Sequence, residues 1–250
     1  MRIVVGHLYP EHLNIYADRG NMAVLARRAA LRGHELEVRP LGVGEPIRPG
    51  DHDLLYVGGG QDREQALIAP DLAARRRSLA EALADGAALL AVCGGYQLLG
   101  RFYRGHQGAE LPGAGIFPHE TVAGQGRLIG DVLIACELDG ERWNVAGFEN
   151  HAGRTRLDAG AEPLGRVVAG FGNDGESGFE GCRVGRAIGT YLHGPLLPRN
   201  PWLADWVLRQ ALAHASGSEP PAFEPLPDVL ERQAHEVAAR RAYARGGKLR

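Results

Sequence analysis

Two apolar runs that each end in a glycine cluster constrain this chain most. Asp53–Val57 leads into Gly58-Gly59-Gly60, and Ala87–Val92 leads through Cys93 into Gly94-Gly95. A short, continuously apolar run bounded in this way predicts a strand buried on both faces. The glycines allow the sharp exit from the sheet that such a strand needs. A long helical pattern follows the first run, over Asp62–Ala84, with Pro70 marking a break or a second start, and another pattern begins after Tyr96. Before them lie a buried strand from Arg2 to Val5, a helix over Asn21–Arg32 stopped by Gly33, and an alternating strand over Glu35–Arg39. Strands alternating with helices predict an α/β fold with a central, mostly parallel sheet flanked by helices. Beyond Gly105 the runs shorten, at Leu128–Ala135, Trp143–Phe148, Gly165–Phe171 and Arg186–Tyr191, and predict additional antiparallel strands in the second half. Pro201–Ser216 is again helical. Residues 1–216 are thus expected to form one domain. Residues 217–250 add a spacer with Pro220, Pro221, Pro225 and Pro227, then a basic helix from Val229 to Arg245.

Composition narrows the function classes. Hydrophobic residues are 44% and charged residues 23%, enough for a full core. A formal charge of -2 gives no reason to expect nucleic acid or an anionic membrane as partner. Met1-Arg2 leads directly into Ile3-Val4-Val5 without a signal-peptide pattern, and no apolar segment is long enough to span a bilayer. A cytoplasmic protein is expected. The three cysteines, Cys93, Cys136 and Cys182, are too widely spaced for a zinc knuckle and odd in number for a disulfide framework. No metal site is expected.

In open parallel sheets, ligands bind beyond the C-terminal ends of the strands, where both glycine clusters fall. Cys93 at a strand–turn–helix elbow would present its thiol with the next residue's N–H free to hold an oxyanion. The following helix N-terminus would favour the thiolate. A small cysteine packed in the core is the competing reading. A nucleophilic cysteine needs a base. His193 ends the apolar run Ala187–Leu192 and precedes Gly194-Pro195, so it too sits at a strand end. His151, between Glu149 and Arg154, competes with it. His7, His12 and His119 are assigned to loops without evident chemistry.

These residues resemble a known family. "AVCGGYQ" (Ala91–Gln97) is similar to the nucleophile elbow of class I, triad-type glutamine amidotransferases, whose usual form is Gly-x-Cys-x-Gly-x-Gln, with Ala91 in place of the first glycine. "LNIYADRGN", "VGGGQDREQAL", "GFENHAGRT" and "GTYLHGPLLPRN" resemble the branch related to cobyric acid synthase amidotransferases, that of the glutaminase subunits of lipid II isoglutaminyl synthases. The resemblance runs from Arg2 to about Asn200 and implies a flavodoxin-like amidotransferase fold. It implies Cys93 as nucleophile, His193 as general base and acid, and Arg127 as the residue that binds the glutamine substrate. A guanidinium fork suits the α-carboxylate of a free amino acid. Gly59 and Gly94 are the implied oxyanion-hole positions, and Gln97 either shapes the pocket or lies on a helix surface.

One departure stands out. The usual triad has an acid two residues after the histidine, and here that position is Pro195. Glu149 or Asp18 would have to orient His193 after folding, or a partner subunit would donate the carboxylate. The chain has no phosphate-binding Gly-x-x-x-x-Gly-Lys-Ser/Thr loop and no acidic cluster that reads as a magnesium site. No cofactor is expected on it, and ATP and magnesium are expected on another polypeptide. The resemblance makes that partner a Mur-ligase-like, ATP-dependent synthetase in a heterodimer, which would use the ammonia to convert the D-glutamate α-carboxylate of lipid II to D-isoglutamine. Arg232, Arg240, Arg241 and Arg245 either dock on it or form a solvated face. Two alternatives remain at this point: a glutaminase serving another carboxylate such as one on a corrin ring, and a non-catalytic amidotransferase-like scaffold.

Overall fold

A computed structural model of the chain describes residues 1–15, 19–106, 108 and 110–246. The first half alternates as β1 (Arg2–Leu8), α1 (Arg19–Leu31), β2 (Glu35–Leu41), β3 (Leu54–Val57), α2 (Asp62–Ala74), α3 (Arg76–Ala84), β4 (Ala88–Val92) and α4 (Gly94–Leu98). The second half holds β5 (Phe102–Arg104), β6 (Glu110–Pro112), β7 (His119–Leu138), β8 (Glu141–Leu157), β9 (Gly165–Ala169) and β10 (Phe179–Glu180). It continues with β11 (Cys182–Val184), β12 (Ala187–Thr190), α5 (Pro201–Ser216) and α6 (Val229–Gly246).

The first sheet has the order β11-β12-β4-β3-β1-β2. Its pairs are parallel except for β11 on β12. Every residue of β3 and β4 is buried, as strands covered on both faces must be. The second sheet has the order β10-β9-β7-β5-β6, with β8 paired to β7. This is the mixed α/β class read from the runs. The Phe148–His193 bridge ties the second sheet to the chain leaving β12.

Three features differ from expectation. α2 runs through Pro70, where the missing N–H forfeits a single helical bond, and ends only at Arg75 (φ -85°, ψ 2°). The two short runs at 128–135 and 143–148 are parts of one long hairpin, β7 and β8. Asp139 (φ 54°) and Gly140 (φ 80°) make its turn, both in the left-handed region as a two-residue hairpin turn requires. His7 and His119 are buried strand residues, in β1 and at the start of β7.

The proline-containing segment lies along α1 and α5. Arg209 Nε donates to Pro221 O at 2.7 Å, and the Arg32 guanidinium sits 4.2 Å over the Phe223 ring. Arg28, itself buried, forks between Asp205 and Asp228 at 2.6 Å each. α6 then packs Ala238 and Ala242 against Leu133, Ala146 and Ala169 of the second sheet. Among the described residues, no helix is long and apolar enough to cross a membrane.

Candidate active site

The chain turns at Cys93 with φ 51° and ψ -108°, a conformation rare for a residue with a side chain. The Cys93 N–H donates to Thr190 O at 2.8 Å, so the elbow is pinned to the neighbouring strand β12. The glycines around it are required by contact. A Cβ on Gly95 would stand 2.7 Å from Val57 O and 2.8 Å from Gly58 O, and one on Gly94 would stand 2.8 Å from Gly60 N. The two glycine clusters therefore touch, because β3 and β4 are adjacent in the sheet. Gly94 opens α4, where the first N–H groups have no acceptor within the helix.

Cys93 lines a cavity of about 690 Å³, together with Gly60, Gln97, Arg127, Asn150 and His151 among others. Arg127 reaches it through an irregularity in β7. Ala123 pairs with Gly153 and Leu128 with His151, so five steps on β7 answer two on β8. The surplus residues form a bulge, which re-aims a side chain that a regular strand would hold in register. The Arg127 fork rests on Asn150, Nε donating to Oδ1 at 2.6 Å and Nη2 to the backbone O at 2.7 Å.

Behind the cavity runs a buried polar chain. Gln65 Nε2 donates to Gly60 O and to Gln97 Oε1, each at 3.1 Å, and Gln97 Nε2 donates to Tyr191 Oη at 3.2 Å. The Tyr191 hydroxyl meets Thr155 Oγ1 at 2.6 Å, and its ring stacks on His151 at 3.6 Å between centroids. This settles Gln97 as a buried, cavity-lining group rather than a helix-surface residue.

His193 is 1% exposed, at the end of β12, with its backbone N–H and C=O both bonded to Phe148. It follows Thr190, the residue whose carbonyl holds Cys93, by three positions, so both chemical groups stand at the C-terminal edge of neighbouring strands. Burial pushes the imidazole down from 6.5 to about 4, and the nearby His151, Arg127 and Arg199 push in the same direction. His193 does not itself line the cavity, whereas His151 does. Similarly, Gly60 rather than Gly59 faces the cavity. Gly59 lies against the nucleophile, 3.3 Å from Cys93 Cβ to where its own Cβ would be.

Of the two acids considered for His193, Asp18 lies outside the described residues. Glu149 is fully buried and accepts the N–H groups of Phe171 (2.7 Å) and Gly172 (2.8 Å), with His151 Nε2 3.8 Å away. A carboxylate absent from the sequence reading also bears on the site. Glu180, on β10, accepts from Tyr191 N at 2.6 Å and from the Thr190 hydroxyl at 3.0 Å, and that hydroxyl in turn accepts Leu192 N at 3.0 Å. Glu180 thus fixes the three residues that lead into His193. In the sequence Glu180 is marked only by its place between Phe179 and Gly181.

The chain matches the CobB/CobQ-like glutamine amidotransferase domain over residues 4–201. It is 38% identical over 242 residues to the subunit GatD of the glutamine-hydrolyzing lipid II isoglutaminyl synthase of Staphylococcus aureus, covering 96% of each chain. To the corresponding subunit of Streptococcus pneumoniae it is 37% identical over 235 residues, which is 93% of this chain and 88% of that one. The fold is also similar to that of a chain in the structure of PurLQS from Thermotoga maritima, with a TM-score of 0.57 at 13% identity over 87% of this chain and 99% of that one.

Proposed function

Because the chain belongs to the CobB/CobQ-like glutamine amidotransferase family, we propose that it is the glutaminase subunit of a lipid II isoglutaminyl synthase. The observation that carries this reading is Cys93 at a strained elbow, opening on a cavity shared with Arg127 and Gly60. End-to-end similarity to two such subunits supports the acceptor over a corrin carboxylate.

In the proposed chemistry, Arg127 holds the α-carboxylate of L-glutamine and the Cys93 thiolate attacks the side-chain carbonyl carbon. The oxyanion is held by the Gly94 N–H and the glycine loop at Gly59 and Gly60. His193, carrying the proton taken from the thiol, delivers it to the leaving nitrogen. The C–N bond breaks and ammonia departs, leaving a γ-glutamyl thioester. Water loses a proton to His193 and attacks the thioester, the C–S bond breaks, and glutamate leaves. Ammonia passes to a Mur-ligase-like partner that binds ATP and magnesium and activates the D-glutamate α-carboxylate of lipid II. Each step on this chain is proton or acyl transfer by its own residues. An orienting carboxylate for His193 supplied by Asp18 or by the partner completes the dyad, since Glu149 is engaged by Phe171, Gly172 and His151.

The test is release of ammonia from L-glutamine by the purified chain, alone and with the ATP-dependent subunit. Release in either arm supports the reading, and silence in both overturns it. The position of the acid limb checks His193 separately. A base must be neutral to accept the thiol proton, and burial disfavours the charged imidazole, so the neutral form persists down to about pH 4. For the chain without its partner the acid limb of kcat/KM is therefore expected close to pH 4. Because a carboxylate beside His193 favours the imidazolium, the limb should move up when the ATP-dependent subunit supplies one. A limb above 6.5 in the chain alone would remove His193 from the role.

A further inference from the structure

L-Glutamine is a zwitterion, and Arg127 accounts for only one of its two charges at the Cα end. The cavity also holds a fixed anion. Among the described residues that line it, Asp62 is the sole carboxylate. An aspartate in the first turn of a helix ordinarily does no more than complement the helix dipole. Asp62 is placed differently, since it faces the cavity that contains Cys93 and is held there by a residue from another element. The Tyr103 hydroxyl, on β5, donates to Asp62 Oδ1 at 3.1 Å. Tyr103 is buried and lines the same cavity. The negative charge of Asp62 and the positive charge of Arg127 act on this one phenol in opposite directions, so both lie within electrostatic reach of it.

We propose that Asp62, positioned by Tyr103, receives the α-ammonium of the substrate opposite Arg127, and so makes the site select a free α-amino acid over other primary carboxamides. This rests on the glutaminase reading and extends it to substrate choice. With the two ends of the zwitterion fixed on α2 and the β7 bulge, the side-chain carboxamide is left to reach Cys93.

The experiment compares L-glutamine with glutaramic acid, the same molecule without its α-amino group. Both are measured on the wild-type chain and on Asp62→Asn, with the ATP-dependent subunit present in each case. A charge-assisted contact gives a preference of about 10- to 100-fold for L-glutamine in kcat/KM. Asp62→Asn is expected to remove that preference by raising KM for L-glutamine by the same factor. The kcat value and the constants for glutaramic acid should stay nearly unchanged. Calorimetric binding of both compounds to Cys93→Ala, with and without Asp62→Asn, gives the same comparison without turnover. A preference that survives in the Asp62→Asn protein overturns the proposal while leaving the glutaminase reading intact. Absence of hydrolysis by wild type, with selective binding still lost on Asp62→Asn, overturns the glutaminase reading and keeps the subsite.

Discussion

Replacing Cys93 with alanine is expected to lower ammonia release from L-glutamine by at least about 10³-fold, the scale on which removal of a covalent nucleophile is felt. No other thiol can stand in. Cys136 and Cys182 are buried, lie outside the cavity, and have thiols that burial pushes up to about 12, so they stay protonated and unreactive. The backbone at position 93 tolerates the change, since alanine at φ 51° is no more strained than cysteine. The melting temperature should therefore hold within a few degrees while turnover disappears, and glutamine should still bind through groups the substitution leaves untouched. Quantifying ammonia and glutamate together checks this, as the two must fall in parallel. Retained turnover in the alanine protein would show that the elbow serves packing alone.

Glu180→Ala is expected to damage both stability and catalysis from a position outside the cavity. It leaves the Tyr191 N–H and the Thr190 hydroxyl without their acceptor in a site with no exposure. Unsatisfied buried groups of this kind cost about 3 kcal/mol together, a fall of roughly 6–12 °C in melting temperature at this chain length. The same loosening reaches Thr190 O, which holds Cys93, and Leu192, which precedes His193, so kcat should fall with it. Glu180→Gln keeps an acceptor for Tyr191 and should recover most of the stability. It should also change the pH dependence. Burial first, and the negative charge of Glu149 after it, raise the Glu180 carboxyl from 4.5 to about 8. The folded protein then holds a proton in that window that the unfolded chain has lost, so this group's contribution makes stability fall as pH rises from 4.5 to 8. The glutamine protein lacks this slope. Melts of the three proteins at both ends of the window measure it, and equal melting temperatures for wild type and Glu180→Ala would sink the assignment.

The strand ends were legible because buried parallel strands write themselves as apolar runs, and because Cys93 and His193 each follow one directly. Arg127 carries no such mark. Its access to the cavity depends on the β7 bulge, and Gly124 and Gly126, which precede it within that bulge, break the alternation that would have revealed a strand. The same glycines hid the length of the hairpin, although Asp139-Gly140 is a turn signal in its own right. Pro70 misled because a proline removes one bond from a helix that α2 sustains by burying Ile68, Ala69 and Leu72. Asp62 and Glu180 were opaque for a common reason. Each is an acid beside a turn or helix start, and only packing against Tyr103 in one case and Thr190 with Tyr191 in the other makes it something else.

The groups around the cavity come from two separate sheets: Cys93 from the first, with Arg127 and His151 from the second. A bound amino acid would then act as a rivet through both plates. Whatever holds its carboxylate end on the hairpin and its reacting carbon at the elbow also resists separation of the layers. Occupancy of the site and closure of the seam would then be one event.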